Sequence, residues 1–284
     1  MISLQIQRSA LGRDSAIVLF PKFLKRFASL IVAVTTLASM GTILRAAEAA
    51  GEPYDYSQPA HITGTVYGMG TDHKHPLFTF QRNATRTGAT VHVERKFIAP
   101  DGTIAAVENI TYESGRLATL DMKEFQAGLW GSVQIKADPK NHGNSKLSID
   151  HGADKDAKKS PTTDDLTKDT LIDDTLYPFM MAHWDELQHG DAVKFRFISL
   201  EWEKTFGFKL TKSGEGSVNG RQIITLRMEP TNPLVAHLMN PIFFSLEKNG
   251  SHHLIEYKGR TTPRSKNGKS WKYLDADTVF DWPS

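Results

Sequence analysis

Apolar and polar residues alternate along much of the first half of the chain. In residues 89–98, Val91 and Val93 fall on one face, whereas His92 and Glu94 fall on the other. A period of two residues is typical of a half-buried β-strand. Turn signals separate several such segments at regular spacing, which predicts an antiparallel meander of about six strands. The other segments of this meander are residues 61–67, 77–85, 103–112, 117–126 and 129–135.

A helical period interrupts the strands after the middle of the chain. Thr175 can cap a helix, Pro178 is tolerated in a first turn, and Gly190 provides a left-handed stop. Between them, apolar residues recur every three or four positions. This pattern predicts one main helix, whose apolar side carries Leu176, Phe179, Met180, His183 and Leu187.

Alternating segments resume after the helix. A short helical turn is expected after Asn232–Pro233, and Asn249–Gly250 is a strong hairpin signal. The predicted fold class is therefore mainly β, or β-rich α+β: a curved antiparallel sheet or half-barrel with one main helix. The strands expected in this half cover residues 193–197, 206–210, 223–228, 242–247, 252–258 and 273–280.

A polar segment lies between the two halves. From residue 138 to 168, Asn, Asp, Lys, Gly, Ser and Thr dominate, and the large apolar residues are Leu147, Ile149 and Leu166. A segment with so little apolar surface has little to bury. We therefore expect a polar loop or linker near residues 138–168, within a single β-rich domain that covers residues 50–284.

The first 49 residues have the pattern of an export signal. A basic cluster at 22–26 precedes a mostly apolar stretch at 27–44, and the Ala-Glu-Ala of residues 47–49 fits a cleavage site. We expect cleavage near Ala49 and a periplasmic or secreted protein. The alternative is an uncleaved leader that anchors the chain, since about 18 apolar residues is the lower limit for a membrane span.

Composition and charge exclude several classes of function. Cysteine is absent, which rules out disulfides, Cys-ligated zinc, iron–sulfur clusters and thiol nucleophiles. The chain has 34 Lys and Arg against 32 Asp and Glu, but the leader holds six of the basic and two of the acidic residues. The remaining chain is slightly acidic and has no nucleic-acid-binding character. We expect no nucleic-acid partner and no cofactor, and the oligomeric state stays open.

The second half resembles a set of exported bacterial proteins of unknown function. The resemblance rests on the sequences His-Trp-Asp-Glu-Leu at 183–187, Met-Glu-Pro at 228–230 and Glu-Tyr-Lys-Gly-Arg at 256–260, followed by Thr-Thr-Pro. More distantly, the order of elements over residues 60–280 is similar to the half-barrel of lipoprotein-localisation (Lol) carriers. That resemblance includes no diagnostic catalytic motif, and it implies a curved sheet with helices on its concave side and a site for acyl chains.

Aromatic residues and a methionine supply the candidate ligand site. In an open half-barrel they would line a hydrophobic cavity, whereas in a closed sandwich they would be ordinary core. Methionine lets such a cavity adapt to varied ligands, and two arginines would meet an anionic headgroup at the rim. The candidate ligand-binding residues are Met180, Trp184, Phe195, Arg196, Phe197, Phe206, Phe208 and Arg260.

Two further residue pairs suggest other chemistry. His73 and His75 form a His-x-His pair that suits a metal, but zinc needs three or four converging ligands, so we expect exposed histidines and no metal site. Glu201 and Glu203 flank Trp202 and would share one face of a strand, either as glycosidase-like carboxylates or as a charged outer face. No nucleophile elbow of the G-x-S-x-G type is present.

Three functions follow from these patterns. The leading hypothesis is an exported, non-enzymatic protein that binds a hydrophobic or amphipathic molecule, such as a lipid. The alternatives are a structural or interaction protein of the cell envelope without a ligand, and a hydrolase that acts on an envelope lipid or glycan. A fully packed core would exclude the first, and catalytic side chains converging in a cleft would favour the third.

Overall fold

The structure is a computed structural model that describes residues 54–137, 145–153, 160–218, 220–237 and 239–282. The predicted leader lies outside these residues. The described part contains fifteen strands and three helices. In chain order they are β1 (His61–Gly68), β2 (Pro76–Thr87), β3 (Thr90–Ile98), β4 (Ile104–Glu113), β5 (Arg116–Glu124), β6 (Leu129–Ala137), β7 (Ser145–Ala153), β8 (Thr162–Asp165), β9 (Thr170–Leu171), α1 (Asp173–Ala182), α2 (Trp184–His189), β10 (Val193–Ser199), β11 (Lys204–Val218), β12 (Arg221–Pro230), α3 (Pro233–Ala236), β13 (Ile242–Glu247), β14 (Leu254–Asn267) and β15 (Ser270–Asp281).

The strands form one curved, unclosed sheet. Its order is β8-β7-β6-β5-β4-β3-β2-β1-β15-β14-β13-β12-β11-β10-β9, so β1 and β15 pair in the middle. Thr65 of β1 lies opposite Thr79 of β2 and Val279 of β15. Neighbouring strands are antiparallel except for the short pair of β9 with β10. The predicted fold class, a mainly β protein built on a curved antiparallel sheet, is confirmed.

The alternation seen in the sequence is the reason for this sheet. Val91 and Val93 of β3 are almost fully buried, and they lie opposite Tyr112 and Ile110 of β4, which are buried as well. His92, between the valines, is exposed. Each side chain of this size stabilises the fold by about 2 kcal/mol on burial, so one face of the pair is held inside.

The predicted main helix is divided into α1 and α2 at His183. Gly190, with φ of 97°, ends α2 as the sequence predicts. Thr175 is not the N-cap: α1 begins two residues earlier, and the Thr175 hydroxyl donates a hydrogen bond to the Ile172 carbonyl at 2.8 Å. We call the face of the sheet that α1 covers the inner face. In the described part of the chain, no helix has the length and apolar character to cross a membrane.

The structure differs from the predicted loop at residues 138–168, because β7 and β8 lie within it. Leu147 and Ile149 of β7 are fully buried, and Ile149 lies opposite the buried Val133 of β6. Two apolar residues at alternate positions are enough here, since β6 supplies both the backbone hydrogen bonds and the apolar surface. Residues 138–144 and 154–159 lie outside the described part.

Side chains connect the two ends of the sheet. Asp164 of β8 accepts hydrogen bonds from the backbone N and the hydroxyl of Thr205 in β11, both at 2.8 Å. Glu203, before β11, accepts from the Thr162 hydroxyl at 3.1 Å and from the His151 backbone N at 3.2 Å. We call these contacts the seam. They bring β8 against β11, although the two strands are not paired.

Candidate functional site

Two adjoining cavities lie between α1 and the inner face of the sheet. The larger has a volume of about 380 Å³ and the smaller about 120 Å³. Both are bounded by Asp173 and Leu176 of α1, so the start of the helix stands between them. The other residues that line both cavities are Arg95, Phe244, Tyr257, Arg260, Thr261 and Thr262.

One side of the larger cavity is apolar. Phe197 of β10 lies opposite Phe206 of β11 in the sheet, and Phe208 follows on the same face. The rings of Phe197 and Phe208 meet edge to face, with centroids 5.8 Å apart. Because alternate residues of a strand share a face, the sequence alternation places these rings together. The same side is completed by Met228, Met239, Ile242 and Phe244.

The opposite side of the larger cavity is charged. Arg95 of β3 donates to Glu108 of β4 at 2.6 Å, and Glu108 also accepts from the hydroxyl of Thr262 at 2.6 Å. On the next strand, Glu124 accepts from the backbone N of Arg264 at 3.0 Å. These bonds hold β14 against β4 and β5 across the inner face. The larger cavity therefore has an apolar side and a hydrogen-bonding, charged side.

A buried ion pair anchors the start of α1. Both carboxylate oxygens of Asp174 accept from Arg82 of β2, at 2.7 and 3.0 Å, and one also accepts from the Tyr112 hydroxyl at 2.9 Å. Burial alone would raise the pKa of Asp174, but the charge and hydrogen bonds of Arg82 lower it. A bidentate arginine compensates the loss of hydration. This pair serves to position α1 over the sheet.

Two carboxyl groups of the larger cavity ionise with difficulty. Burial raises the pKa of Glu124 to about 7, against the opposing hydrogen bond and charge of Arg264. Burial also raises the pKa of Asp173 to about 6, with Arg95 opposing the shift and Glu108 and Asp174 adding to it. Carboxyl groups with raised pKa values in a cavity are typical of functional sites.

Half-exposed aromatic residues mark the place where the larger cavity meets solvent. Two guanidinium groups lie over the Tyr273 ring, that of Arg260 at 4.2 Å and that of Arg264 at 4.5 Å from the ring centre. Trp202, which is 50% exposed, stands edge to face with Phe206, with ring centres 5.2 Å apart. Stacked arginines and exposed aromatics give this rim both charge and apolar surface.

Five of the eight predicted ligand-binding residues line the cavities. Met180 lines the smaller one, whereas Phe197, Phe206 and Phe208 line the larger one. Arg260 lines both. These residues come from α1, β10, β11 and β14, which meet at the inner face.

The other three predicted residues lie outside this lining. Trp184 is 7% exposed and stacks on His252, with ring centres 4.3 Å apart. Phe195 is a buried core residue whose ring centre lies 5.3 Å from that of Phe179. Arg196 points away from the inner face, because it alternates with Phe195, and its Nε donates to the Thr205 hydroxyl at 2.9 Å.

The histidine pair does not converge. The Nε2 of His73 lies 3.1 Å from a carboxylate oxygen of the buried Asp277, and its ring stacks on Tyr67. His75 is exposed and immediately precedes β2. Throughout the described ranges, no group of three or more His, Cys, Asp or Glu side chains is placed to hold a metal ion.

The predicted carboxylate pair is contradicted, because Glu201 and Glu203 lie in a turn rather than a strand. Glu203 has a φ of 49°, which turns its carboxylate toward the seam. Glu201 instead lies 3.4 Å from a guanidinium nitrogen of Arg264 at the cavity. The two carboxylates therefore serve different contacts.

Sequence reasoning missed the charged side of the cavity. Asp173, Glu124, Arg95 and Arg264 have no motif spacing, and Glu124 meets Arg264 across 140 residues of chain. For Asp173, the sequence signal was the Asp173–Asp174 pair at the first helical positions. Acidic residues are common at a helix N-terminus because the helix dipole stabilises them, so the pair did not indicate a cavity.

Comparisons with known proteins identify no family for this chain. No family model matches it, and no curated protein matches it. Among solved structures it is similar to the crystal structure of a DUF1329 family protein from Desulfovibrio piger ATCC 29098, with 10% sequence identity, a TM-score of 0.21, and coverage of 78% of this chain and 82% of that chain. That family name denotes a domain of unknown function, and a likeness this low carries no argument about the present chain.

Proposed function

We propose that the protein is exported and binds an amphipathic small molecule in the two adjoining cavities. The observation that carries the proposal is the polarity of the larger cavity, which has phenylalanine and methionine on one side and paired charges on the other. An apolar tail can lie along Phe197 and Phe208 while a polar group reaches toward Glu108 and Glu124. Ligand sites are typically apolar cavities with a few polar groups that orient the ligand.

The size and the lining of the cavities support ligand binding over a plain packed core. A solvent-connected volume of about 380 Å³ has the size of a small-molecule pocket, which plain core packing would fill with side chains. Met122, Met228 and Met239 belong to the lining, and their flexible side chains adapt to ligands of different shape. A half-barrel with its helix on the inner face is also the arrangement that the resemblance to Lol carriers implies.

Native mass spectrometry of the chain, exported from bacterial cells under its own leader, tests the proposal. We expect the mass of a chain cleaved near Ala49, together with an excess mass that is lost as a small amphiphile on activation. A retained leader would contradict cleavage.

A pair of neighbouring substitutions on α3 tests the location of the ligand. Val235 lines the larger cavity, whereas the adjacent Leu234 is 77% exposed and lies outside the lining. Val235→Trp should fill the cavity and lower the affinity for a neutral fluorescent naphthylamine at least tenfold, whereas Leu234→Trp should leave it unchanged. Equal binding by both variants, or absence of binding by the unaltered protein, would overturn the proposal.

A further inference from the structure

The charges around the cavities do not balance. Four arginines lie in or against the lining: Arg82, Arg95, Arg260 and Arg264. Six carboxylic acids accompany them: Glu108, Glu124, Asp173, Asp174, Glu201 and Asp275. The lining contains no lysine, and His151 is its one histidine. Acidic groups therefore outnumber the permanent cations in this region.

Each arginine already has a carboxylate partner. Arg82 binds Asp174, and Arg95 binds Glu108 at 2.6 Å. Arg260 lies 3.4 Å from Asp275. Arg264 lies 3.4 Å from Glu201 and 3.6 Å from Glu124. At Arg82 and Arg95, an anionic ligand would have to displace a buried acid from its arginine, which is costly. The contacts of Arg260 and Arg264 are longer, and the buried Nε of Arg264 makes no hydrogen bond to any described residue.

Asp173 is the acid without a partner. Within the described residues its carboxylate makes no hydrogen bond and no ion pair within 4 Å. Protein atoms surround the carboxylate and raise its pKa, but the residue keeps accessible surface where it borders both cavities. Its neighbour Asp174 has no such surface, and its carboxylate is bonded to Arg82. The Asp173 carboxylate is thus a hydrogen-bond acceptor that a ligand in the cavities can reach.

We infer that the ligand of these cavities carries a cationic amine, which pairs with the carboxylate of Asp173. This inference rests on the proposed function and adds the chemical class of the polar group. An ammonium group supplies the donors that Asp173 lacks, and it brings the local charge closer to balance. The expected charge is the opposite of the anionic headgroup that Arg196 and Arg260 suggest from the sequence.

The pH dependence of binding follows from the surroundings of Asp173. Arg82, Arg95, Arg260, Glu108, Asp174 and Tyr257 face it from β2, β3, β4, α1 and β14. Since burial raises the pKa of Asp173 to about 6, the carboxylate is ionised above that pH and neutral below it. An ammonium ligand should therefore bind more weakly as the pH falls through about 6.

The test compares three probes that share one tail: decylammonium, decanol and decanoate. Their affinities are measured by isothermal titration, below the concentration at which they form micelles, with the cleaved protein. At about pH 8 we expect decylammonium to bind about tenfold more tightly than decanol, and decanoate most weakly. Between about pH 8 and about pH 5, the affinity for decylammonium should fall about tenfold, and that for decanol should stay constant.

Asp173→Asn identifies the residue responsible. This variant should lose the preference for decylammonium and the part of its pH dependence centred near pH 6, while it keeps its affinity for decanol. Because the decanol affinity reports an intact cavity, a misfolded variant is recognised at once. Asp185→Asn, on exposed α2 surface, is the matched control and should behave like the unaltered protein. Glu124, whose pKa is also raised, is present in both variants, so a difference between them is not due to Glu124.

The outcomes separate the two proposals. If no probe binds, the proposed function itself fails. If decanol and decylammonium bind equally, or decanoate binds most tightly, the cavity binds amphiphiles and the amine inference is overturned. A preference for decylammonium that survives Asp173→Asn overturns the role assigned to Asp173.

Discussion

At Glu124 the larger cavity holds a carboxyl group whose side chain is only 5% exposed. Asp174 is equally buried, yet its pKa is lowered, whereas that of Glu124 is raised to about 7. The difference lies in the geometry of the arginine. Arg82 grips Asp174 with two nitrogens at 2.7 and 3.0 Å, whereas the Nε of Arg264 stays 3.6 Å from Glu124. At the residue scale, therefore, the placement of the cation determines the charge of a buried acid.

The raised pKa of Glu124 makes stability depend on pH. The folded state holds this proton up to about pH 7, whereas the unfolded chain releases it near 4.5. Stability should therefore fall as the pH rises from about 4.5 to about 7, by up to about 3 kcal/mol from this group. Glu124→Gln should reduce this fall, as measured by urea unfolding at about pH 5 and about pH 8.

Glu201→Gln is the control for this prediction. Glu201 also contacts Arg264, but it is exposed at the rim. Its replacement should leave the pH dependence of stability as it is in the unaltered protein. An unchanged pH dependence in Glu124→Gln would contradict the prediction.

At the scale of elements, β7 shows how few apolar residues a strand needs. Leu147 and Ile149 are its fully buried large apolar side chains, and they contact the core between β3, β4 and β6. The surrounding sequence is polar because the other face of the strand needs no apolar residues. β7 is therefore an integral part of the sheet.

Ile149→Ala tests the contribution of β7. Removing a fully buried side chain should destabilise the protein by about 2–4 kcal/mol, measured by urea unfolding. Lys146→Ala, on the same strand, removes an exposed ion pair with Asp165 and should cost less than about 1 kcal/mol. A small effect of Ile149→Ala would mean that β7 is a dispensable loop, as its composition suggests.

The predictions made from sequence succeeded where local alternation carries the information. Val91 and Val93, or Phe206 and Phe208, mark the buried face of a strand within a few residues. The charged side of the cavity could not be found in this way, because its contacts join distant strands. The Thr262 hydroxyl meets Glu108 across 154 residues, and nothing in either local sequence specifies that meeting.

At the scale of the whole molecule, the seam holds the curvature that encloses the cavities. Asp164 and Glu203 together accept four hydrogen bonds across it. Leu200, just before Glu203, packs on Gly131 of β6, where an added Cβ would lie 3.1 Å from the leucine. Backbone and side-chain contacts thus hold the two ends together without strand pairing.

Asp164→Ala should loosen this arrangement locally. The backbone N of Thr205 loses its acceptor, so its amide hydrogen should exchange with solvent about tenfold faster, measured by hydrogen–deuterium exchange. Asp165→Ala is the matched control, since the Asp165 carboxylate pairs with exposed Lys146 rather than Thr205. Equal exchange rates in the two variants would show that Asp164 does not support the seam.

The short strands at the two ends of the sheet have a consequence for the behaviour of the protein at high concentration. A fifteen-stranded open sheet would ordinarily offer two long templates for edge-to-edge polymerisation. Here one border is the two-residue β9, and the other is the four-residue β8, which carries two adjacent aspartates. Neither border strand is long enough to template a long added strand, and the charge of β8 opposes one, so we expect slow edge-to-edge growth at high concentration.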